Sequence, residues 1–304
     1  MERKTGMRIG VLGRLYPASA AATINGILVR MVAAGATPVM ERGLAERMTA
    51  AGMPPASDTE VMDRAEDADL HMLVSMGGDG SFLDSVDFLG AVPVPLLGIN
   101  LGRLGFLSST RLEDVDASLE AIMQRRYTLV ERAVLALEGC PGFGTHNNAL
   151  NEVSLHKRDG AAMISIHAHL DGRFLNTYWA DGLIIATPTG STAYSLSCGG
   201  PLLAPGCDAM VITPIAPHNL NVRPFVVPGN STLTLHVDAR GEKYLVNLDS
   251  RSQVLDHFPA LQVHRAEHRV KLVQLEGQDF LNTLRSKLSW GLDIRSAKPG
   301  FEVG

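Results

Sequence analysis

Up to Arg126 the chain alternates short apolar runs with segments of helical spacing, and this alternation restricts the fold more than any other feature. The runs MRIGVLG (Met7 to Gly13), TPVME (Thr37 to Glu41), LHMLVSM (Leu70 to Met76) and VPLLGIN (Val94 to Asn100) read as buried strands. Helical segments lie between and after them: Thr23 to Gly35, a short helix with loops within Gly43 to Ala68, Ser81 to Leu89, and Arg111 to Arg126. Strands alternating with helices predict a parallel sheet of the α/β class. After residue 130 the pattern changes. Short runs rich in Val, Ile, Leu and Thr follow one another with turn residues between them, among them TLVERAVLALEG, ISIHAHLDGRFL, GLIIA, STLTLHVDA and KYLVNLDS. That spacing predicts antiparallel, sandwich-like β structure. DFLNTLRSKLSWGLDIR is helical again, and a lone terminal helix needs a partner to bury its apolar face. The expected organisation is an α/β domain over residues 1–130, a β-rich domain over 131–275, and a tail over 276–304 that returns to the first.

Length and charge remove several function classes. A chain of 304 residues suits about two domains. Its net charge of -5 offers no general grip on nucleic acid or an anionic membrane. The 3 cysteines, Cys140, Cys198 and Cys207, lack CxxC spacing, and their odd number fits a reducing cytoplasm. MERKTGMRIG has no apolar core of a signal peptide. No run reaches the roughly 18 apolar residues that span a bilayer. A cytoplasmic protein that binds neither nucleic acid nor membrane is expected.

The stretch GGDGS (Gly77 to Ser81) follows the third predicted strand. Ligands of open α/β sheets bind beyond the carboxyl ends of their strands. Two readings are open here. In one, Gly77 and Gly78 leave backbone N–H groups bare for a phosphate, with Ser81 beside them and Asp79 serving a cation or an attacking hydroxyl. In the other, the stretch is a tight turn and Asp79 caps a helix. The Gly-x-Gly-x-x-Gly fingerprint and the P-loop signature are both absent. A second glycine cluster, GINLGRLGF (Gly98 to Phe106), brings Arg103 to the same edge as a phosphate-contact candidate. Further on, Asn151 and Glu152 are an adjacent amide and carboxylate, suited to a ribose diol or an adenine edge; a turn cap is the alternative. The run from Asp181 to Pro201 carries a strand into a loop dense in Thr, Ser and Gly with one Tyr, a composition suited to a nucleotide.

In this order, GGDGS, GINLGRLGFL, ALNEV and DGLIIATPTGSTAYSLSCGGP resemble the NAD kinase family, as do PIAPHNLNVRPFVVP and FLNTLRSKLSWG. The resemblance covers nearly the whole chain, and the Thr- and Ser-rich loop is its most specific part; GGDGS alone is shared with lipid kinases and phosphofructokinases. It implies phosphoryl transfer from ATP, with a divalent cation, to the 2′-hydroxyl of the adenosine ribose of NAD. It matches Asp79 to the proton acceptor and Gly80 to its neighbour in the NAD and phosphate contacts. Asn151 and Glu152 match the pair that binds the adenosine half. Thr192, Ala193, Tyr194, Ser195 and Ser197 match the loop that encloses the dinucleotide. Asp181 matches a carboxylate near the nicotinamide end, which in the family can come from a neighbouring subunit. A homo-oligomer, dimer or tetramer, with sites near subunit interfaces is therefore implied. The cation, Mg²⁺ by preference, comes with the nucleotide, so no protein metal ligands are expected. Ser81 stands where threonine is usual, Asp84 where many members have a basic residue, Trp179 and Ala180 where a polar pair is common, and Arg251 where glutamine is usual. Arg251 joins the phosphate-contact candidates. His167 and His169 share a strand face but lack a third ligand, so they read as exposed or hydrogen-bonded histidines, as do His156 and His218. Cys198 has no partner base in the sequence.

Overall fold

The computed structural model describes residues 6–15, 20–102, 105–158, 162–239, 243–256 and 259–290. The chain divides into two compact units, residues 1–130 with 271–304, and residues 131–270.

The first unit opens with β1 (Arg8–Gly13), α1 (Ala20–Ala33), β2 (Thr37–Glu41), α2 (Arg42–Ala50) and β3 (Glu60–Met62). It continues with β4 (Met72–Met76), α3 (Asp79–Leu89), β5 (Leu96–Ile99), α4 (Val115–Met123) and β6 (Thr128–Arg132). Strand order is β3-β2-β1-β4-β5, followed by a strand from the far end of the chain and then β6. The pairs among β1 to β5 are parallel, as the alternation predicts. Ile9, Val11, Val74 and Leu97 from the sheet pack with Ile24, Leu28 and Met31 of α1 and Leu119 of α4. Two local expectations need correction. Helix α1 begins at Ala20, not Thr23, because Ala20 and Ala21 are buried and alanine favours the helix. Helix α3 begins at Asp79, not Ser81, so only Gly77 and Gly78 separate it from β4.

The second unit contains β7 (Leu135–Glu138), β8 (Asn148–Ala149), β9 (Glu152–Lys157), β10 (Ile164–Leu170), β11 (Arg173–Ala180) and β12 (Gly182–Ala186). After these come α5 (Tyr194–Ser197), β13 (Ala209–Ile215), β14 (Phe225–Pro228), β15 (Leu233–Asp238), β16 (Tyr244–Leu248), β17 (Arg251–Leu255) and β18 (Leu261–Arg265). They form two six-stranded sheets, β11-β10-β15-β18-β7-β8 and β14-β13-β12-β9-β16-β17. Leu137, Ile166, Leu235 and Val263 of the first meet Val153, Leu155, Ile185 and Val246 of the second in one core, a β-sandwich. Strand β12 is buried along its whole length, since Ile184 and Ala186 on its other face lie against Leu203 and Cys198. That explains why GLIIA is continuously apolar instead of alternating.

The last strand, β19 (Val270–Gln274), pairs in parallel with β5 through Leu272 and Leu96, and α6 (Phe280–Leu288) follows. The return to the first unit therefore starts at Lys271, earlier than the 276 expected. Asp279 caps α6 by accepting from Asn282 N, and Gln278 bonds Ser109 and Thr110, tying the segment to the loop before α4. No helix among the described residues is long and apolar enough to cross a membrane.

Candidate functional site

In the first sheet the chain runs outward from β1 through β2 to β3, then resumes on the other side of β1 with β4. The gap beyond Gly13 and Met76, which are register partners, is thus a topological switch point, where open α/β sheets hold ligands. Arg14 follows one strand there and GGDGS follows the other. Gly77 N donates to Ile99 O at 2.9 Å, and Gly78 precedes the first turn of α3. Asp79, half-buried, aims its carboxylate at the loop after β5. It accepts three consecutive backbone N–H bonds, from Phe106 (2.9 Å), Leu107 (3.0 Å) and Ser108 (3.1 Å). A Cβ on Gly105 would lie 1.8 Å from Asp79 Oδ1, so this approach requires glycine. Asn100, also buried, braces the same loop by accepting from Gly102 N at 2.7 Å. The second glycine cluster is therefore shaped around the aspartate of the first.

Gly80 lies one residue into α3, near the Arg14 guanidinium. Arg14 makes a bidentate pair with Asp84, at 2.5 and 2.7 Å, and the hydrogen bond to that carboxylate raises its pKa. Sequence reasoning missed Arg14; its signal is a cation directly after the glycine that ends β1. Asp84, the departure from the family pattern, is the partner that holds it. Ser81 is buried, and its carbonyl accepts from Ser85 Oγ. Arg103 lies outside the described residues.

The second unit repeats the device. Asp249, in the tight turn between β16 and β17, accepts from Leu150 N (2.8 Å), Asn151 N (2.8 Å) and Glu152 N (3.1 Å). Its own N–H returns a bond to Glu152 O at 3.1 Å. Asn151 is buried. Glu152 opens β9 with Ser154 and His156 on the same face, while Val153 and Leu155 point into the core. Burial, and then the neighbouring Asp249, push the Glu152 pKa up to about 8. Its Oε2 is buried and no hydrogen bond reaches it among the described residues. No role attaches to Asp249 from sequence alone; its signal is an acidic residue at a hairpin turn, where it adopts a φ of 52°.

The loop after β12 spends many of its hydroxyls on itself and on the segments it packs against. Thr187 Oγ1 donates to Leu150 O, Ser191 Oγ to Pro188 O and Thr192 Oγ1 to Thr189 O. Ser195 is fully buried and bonds Thr213 Oγ1 at 2.8 Å, so its hydroxyl packs the loop onto β13. A Cβ on Gly190 would lie 2.1 Å from Asn151 O, which seats the loop flush against the Asn151 backbone. Ala193 links the turn at Gly190 to α5 by donating to Gly190 O. Tyr194 and Ser197 are exposed. The Tyr194 ring stacks on His156, with centroids 5.6 Å apart and planes 18° from parallel. Burial, then Cys198, Glu152 and Asp181, raise the Tyr194 pKa, so these groups share one field. Asp181 pairs with Lys157 Nζ at 2.7 Å, within its own chain. The structure thus gathers Asn151, Glu152, Asp181 and Tyr194, and adds His156, Lys157, Cys198 and Asp249. Arg251 sits apart from an open role: it donates to the His146 and Asn148 carbonyls and lies over the Phe143 ring.

Two family models match in sequence, the ATP-NAD kinase N-terminal domain over residues 9–127 and the ATP-NAD kinase C-terminal domain over 150–275. The NAD kinase of Christiangramia forsetii is 38% identical over 95% of this chain and 100% of its own length. The chain belongs to the NAD kinase family. Another member, the NAD kinase of Flavobacterium johnsoniae, is 47% identical over 76% of this chain and 80% of its own. Two solved structures share the NAD kinase fold. Yeast NADH kinase complexed with NADH matches at a TM-score of 0.84 and 22% identity, covering 97% of this chain and 91% of that one. An NAD kinase from Archaeoglobus fulgidus in complex with ATP matches at a TM-score of 0.71 and 23% identity, covering 93% and 99%. The family models meet both triple clamps: the Asp79 clamp lies within the first match, and Asn151 and Asp249 lie within the second.

Proposed function

We propose that the protein transfers the terminal phosphoryl group of ATP to the 2′-hydroxyl of the adenosine ribose of NAD, giving NADP and ADP. The observation that carries this reading is the Asn151–Glu152 pair. It is held rigidly by Asp249, it contains a buried carboxyl oxygen with no partner among the described residues, and it lies in the field of an exposed tyrosine. A nucleoside supplies what that arrangement lacks: sugar and base atoms for the polar pair and a flat face for the ring.

Phosphoryl transfer asks a protein chiefly for positioning and charge neutralisation. The first unit supplies the start of α3, whose unpaired N–H groups and dipole favour an anion, with Arg14 beside it. Asp79 is assigned the ribose proton. A carboxylate offers about four acceptor directions, and three are taken by the loop, which leaves one aimed by a fixed scaffold. Alignment then matters more than basicity. Mg²⁺ enters as part of the ATP substrate, since that ion prefers phosphates and water to a protein cage. The nearby carboxylates fit this: three backbone donors already hold Asp79, and Asp84 pairs with Arg14. We further infer a cytoplasmic homo-oligomer in which Asp181 serves a site near the subunit interface; free Cys140, Cys198 and Cys207 suit a reducing setting.

The test is direct. Purified protein is incubated with NAD, ATP and Mg²⁺, and NADP is measured by a coupled, NADP-specific dehydrogenase. NADP formed in proportion to enzyme is expected. None from well-folded protein overturns the reading. Mixing subunits of two differently inactivated variants, Asp79→Asn and Asp181→Asn, checks the shared site: activity recovered on subunit exchange is expected, and verified exchange without recovery removes it.

A further inference from the structure

Asp249 and Glu152 are neighbouring carboxyl groups in unequal company. Three backbone donors converge on Asp249, and its own N–H closes a return bond to the Glu152 carbonyl. Glu152 Oε2 is buried with no donor among the described residues. Two ionised carboxylates so close repel one another, and the donors decide which one carries the charge. Three N–H groups stabilise a negative Asp249; nothing comparable stabilises a negative Glu152. We propose that Asp249 is a positioning residue for nucleotide binding, fixing Asn151 and Glu152 and keeping Glu152 a neutral carboxylic acid that offers the bound adenosine group a donor O–H from the accessible side of its half-buried carboxyl. This rests on the reading of the protein as an NAD kinase.

The electrostatics support the geometry. Glu152 is pushed up to about 8 by burial and by Asp249. Burial pushes Asp249 up too, against the opposing pull of its three backbone donors and of Arg251. The titratable groups around Glu152 come from each neighbouring element. Tyr194 and Cys198, on and beside α5, both feel its charge, and burial raises each above its ordinary value. His156, further along β9, is pushed down by burial. Burial moves His156 down and Tyr194 and Cys198 up, each away from the pH at which Glu152 titrates. A neutral carboxyl also offers what an ionised one does not: a donor beside an acceptor, complementary to the mixed edge of a nucleoside. The sign follows. Binding that needs the protonated acid holds at low pH and weakens tenfold per unit above the acid's pKa.

The experiment is a calorimetric titration of the full-length protein with NAD from about pH 6.5 to about pH 9, a range in which the acid loses its proton. The expected Kd is about tenfold weaker at pH 9 than at pH 7. Glu152→Gln keeps a neutral donor, so its Kd stays within about threefold of wild type at pH 7 and is flat across the range. Asp249→Asn weakens NAD binding about tenfold at pH 7 while kcat at saturating NAD changes far less. If that variant does not fold, the Glu152→Gln profile decides alone. A flat wild-type profile with NADP still formed overturns this inference and leaves the kinase reading intact. A Glu152→Gln profile that follows wild type also overturns it. No NAD binding together with no NADP overturns both.

Discussion

Two aspartates in this protein do the same thing with backbone and different things with charge. Asp79 gathers the N–H groups of Phe106, Leu107 and Ser108; Asp249 gathers those of Leu150, Asn151 and Glu152. Each pins a loop that regular structure does not hold. Their surroundings diverge. Asp79 is half-buried, at the first residue of α3, in the region where Arg14 and Asp84 form an ion pair. Asp249 has a second carboxyl group next to it. The first clamp can therefore present a charge to the reaction, while the second transfers its electrostatic cost to a neighbour. On the proposed reading, the same hydrogen-bond geometry serves chemistry in one unit and recognition in the other.

The largest effect belongs to the first clamp. Asp79→Asn replaces one acceptor oxygen with an amide that faces N–H groups. It removes the proposed base as well, so kcat is expected to fall by about 10²–10⁴, with NAD affinity changed only a few-fold. Steady-state kinetics and NAD titration separate the two; an unimpaired kcat takes Asp79 out of catalysis. Gly105→Ala sharpens the point, because it keeps the carboxyl group but, with a Cβ that would lie 1.8 Å from Oδ1, forces it and the loop apart. Loss of the loop contact costs about 1–3 kcal/mol in stability, read by urea unfolding. If Gly105→Ala lowers kcat as much as Asp79→Asn does, the clamp is as necessary to turnover as the carboxylate itself; an unchanged kcat makes the clamp dispensable.

The second clamp predicts a stability change that depends on pH. Glu152 has its pKa raised from 4.5 to about 8, so the folded protein without ligand binds a proton more tightly than the unfolded chain does. That preference stabilises the fold fully below the unfolded value and is lost as pH rises through the folded one. Glu152→Gln does not titrate. Its melting temperature relative to wild type therefore rises between about pH 5 and about pH 8.5, by a few degrees. Equal differences at the two pH values would return Glu152 to an ordinary ionised carboxylate.

These clamps also show where sequence reading ends. The parallel sheet was legible because its strands are buried on both faces and its helices carry an apolar stripe, as in Val11 to Leu12 and Ile24 to Met31. Asp79 and Tyr194 draw notice because glycines and polar residues stand where a strand ends, whereas Asn151 and Glu152, bland by themselves, are singled out by the family resemblance. The partners of the two aspartates were not legible. Asp249 and Asn151 are separated by 98 residues, and nothing local in NLDS names its donors. β19 was hidden for the same reason: its place beside β5 is decided by residues far away in the chain. The hydroxyls of the Thr- and Ser-rich loop misled in the opposite direction. Thr192 and Ser195 have the composition of ligand contacts, but their hydroxyls bond Thr189 O and Thr213 Oγ1.

The smallest predicted effect tests whether the Arg14–Asp84 pair belongs to the site or only to the surface. Arg14 is half-exposed, with side-chain accessibilities of 53% and 33% across the pair, so breaking it costs at most about 1 kcal/mol of stability. The informative readout is the KM for ATP. Arg14→Ala removes a cation from the start of α3, and its KM for ATP should rise a few-fold. Asp84→Ala removes the anion that holds that cation, so KM should fall, about twofold, and the gain should fade in high salt. Opposite signs mean that Asp84 holds Arg14 in check near the phosphate-binding end of α3. Changes of the same sign would make the pair a structural link between the end of β1 and α3, and would leave the N–H groups of the first turn as the principal anion contact there.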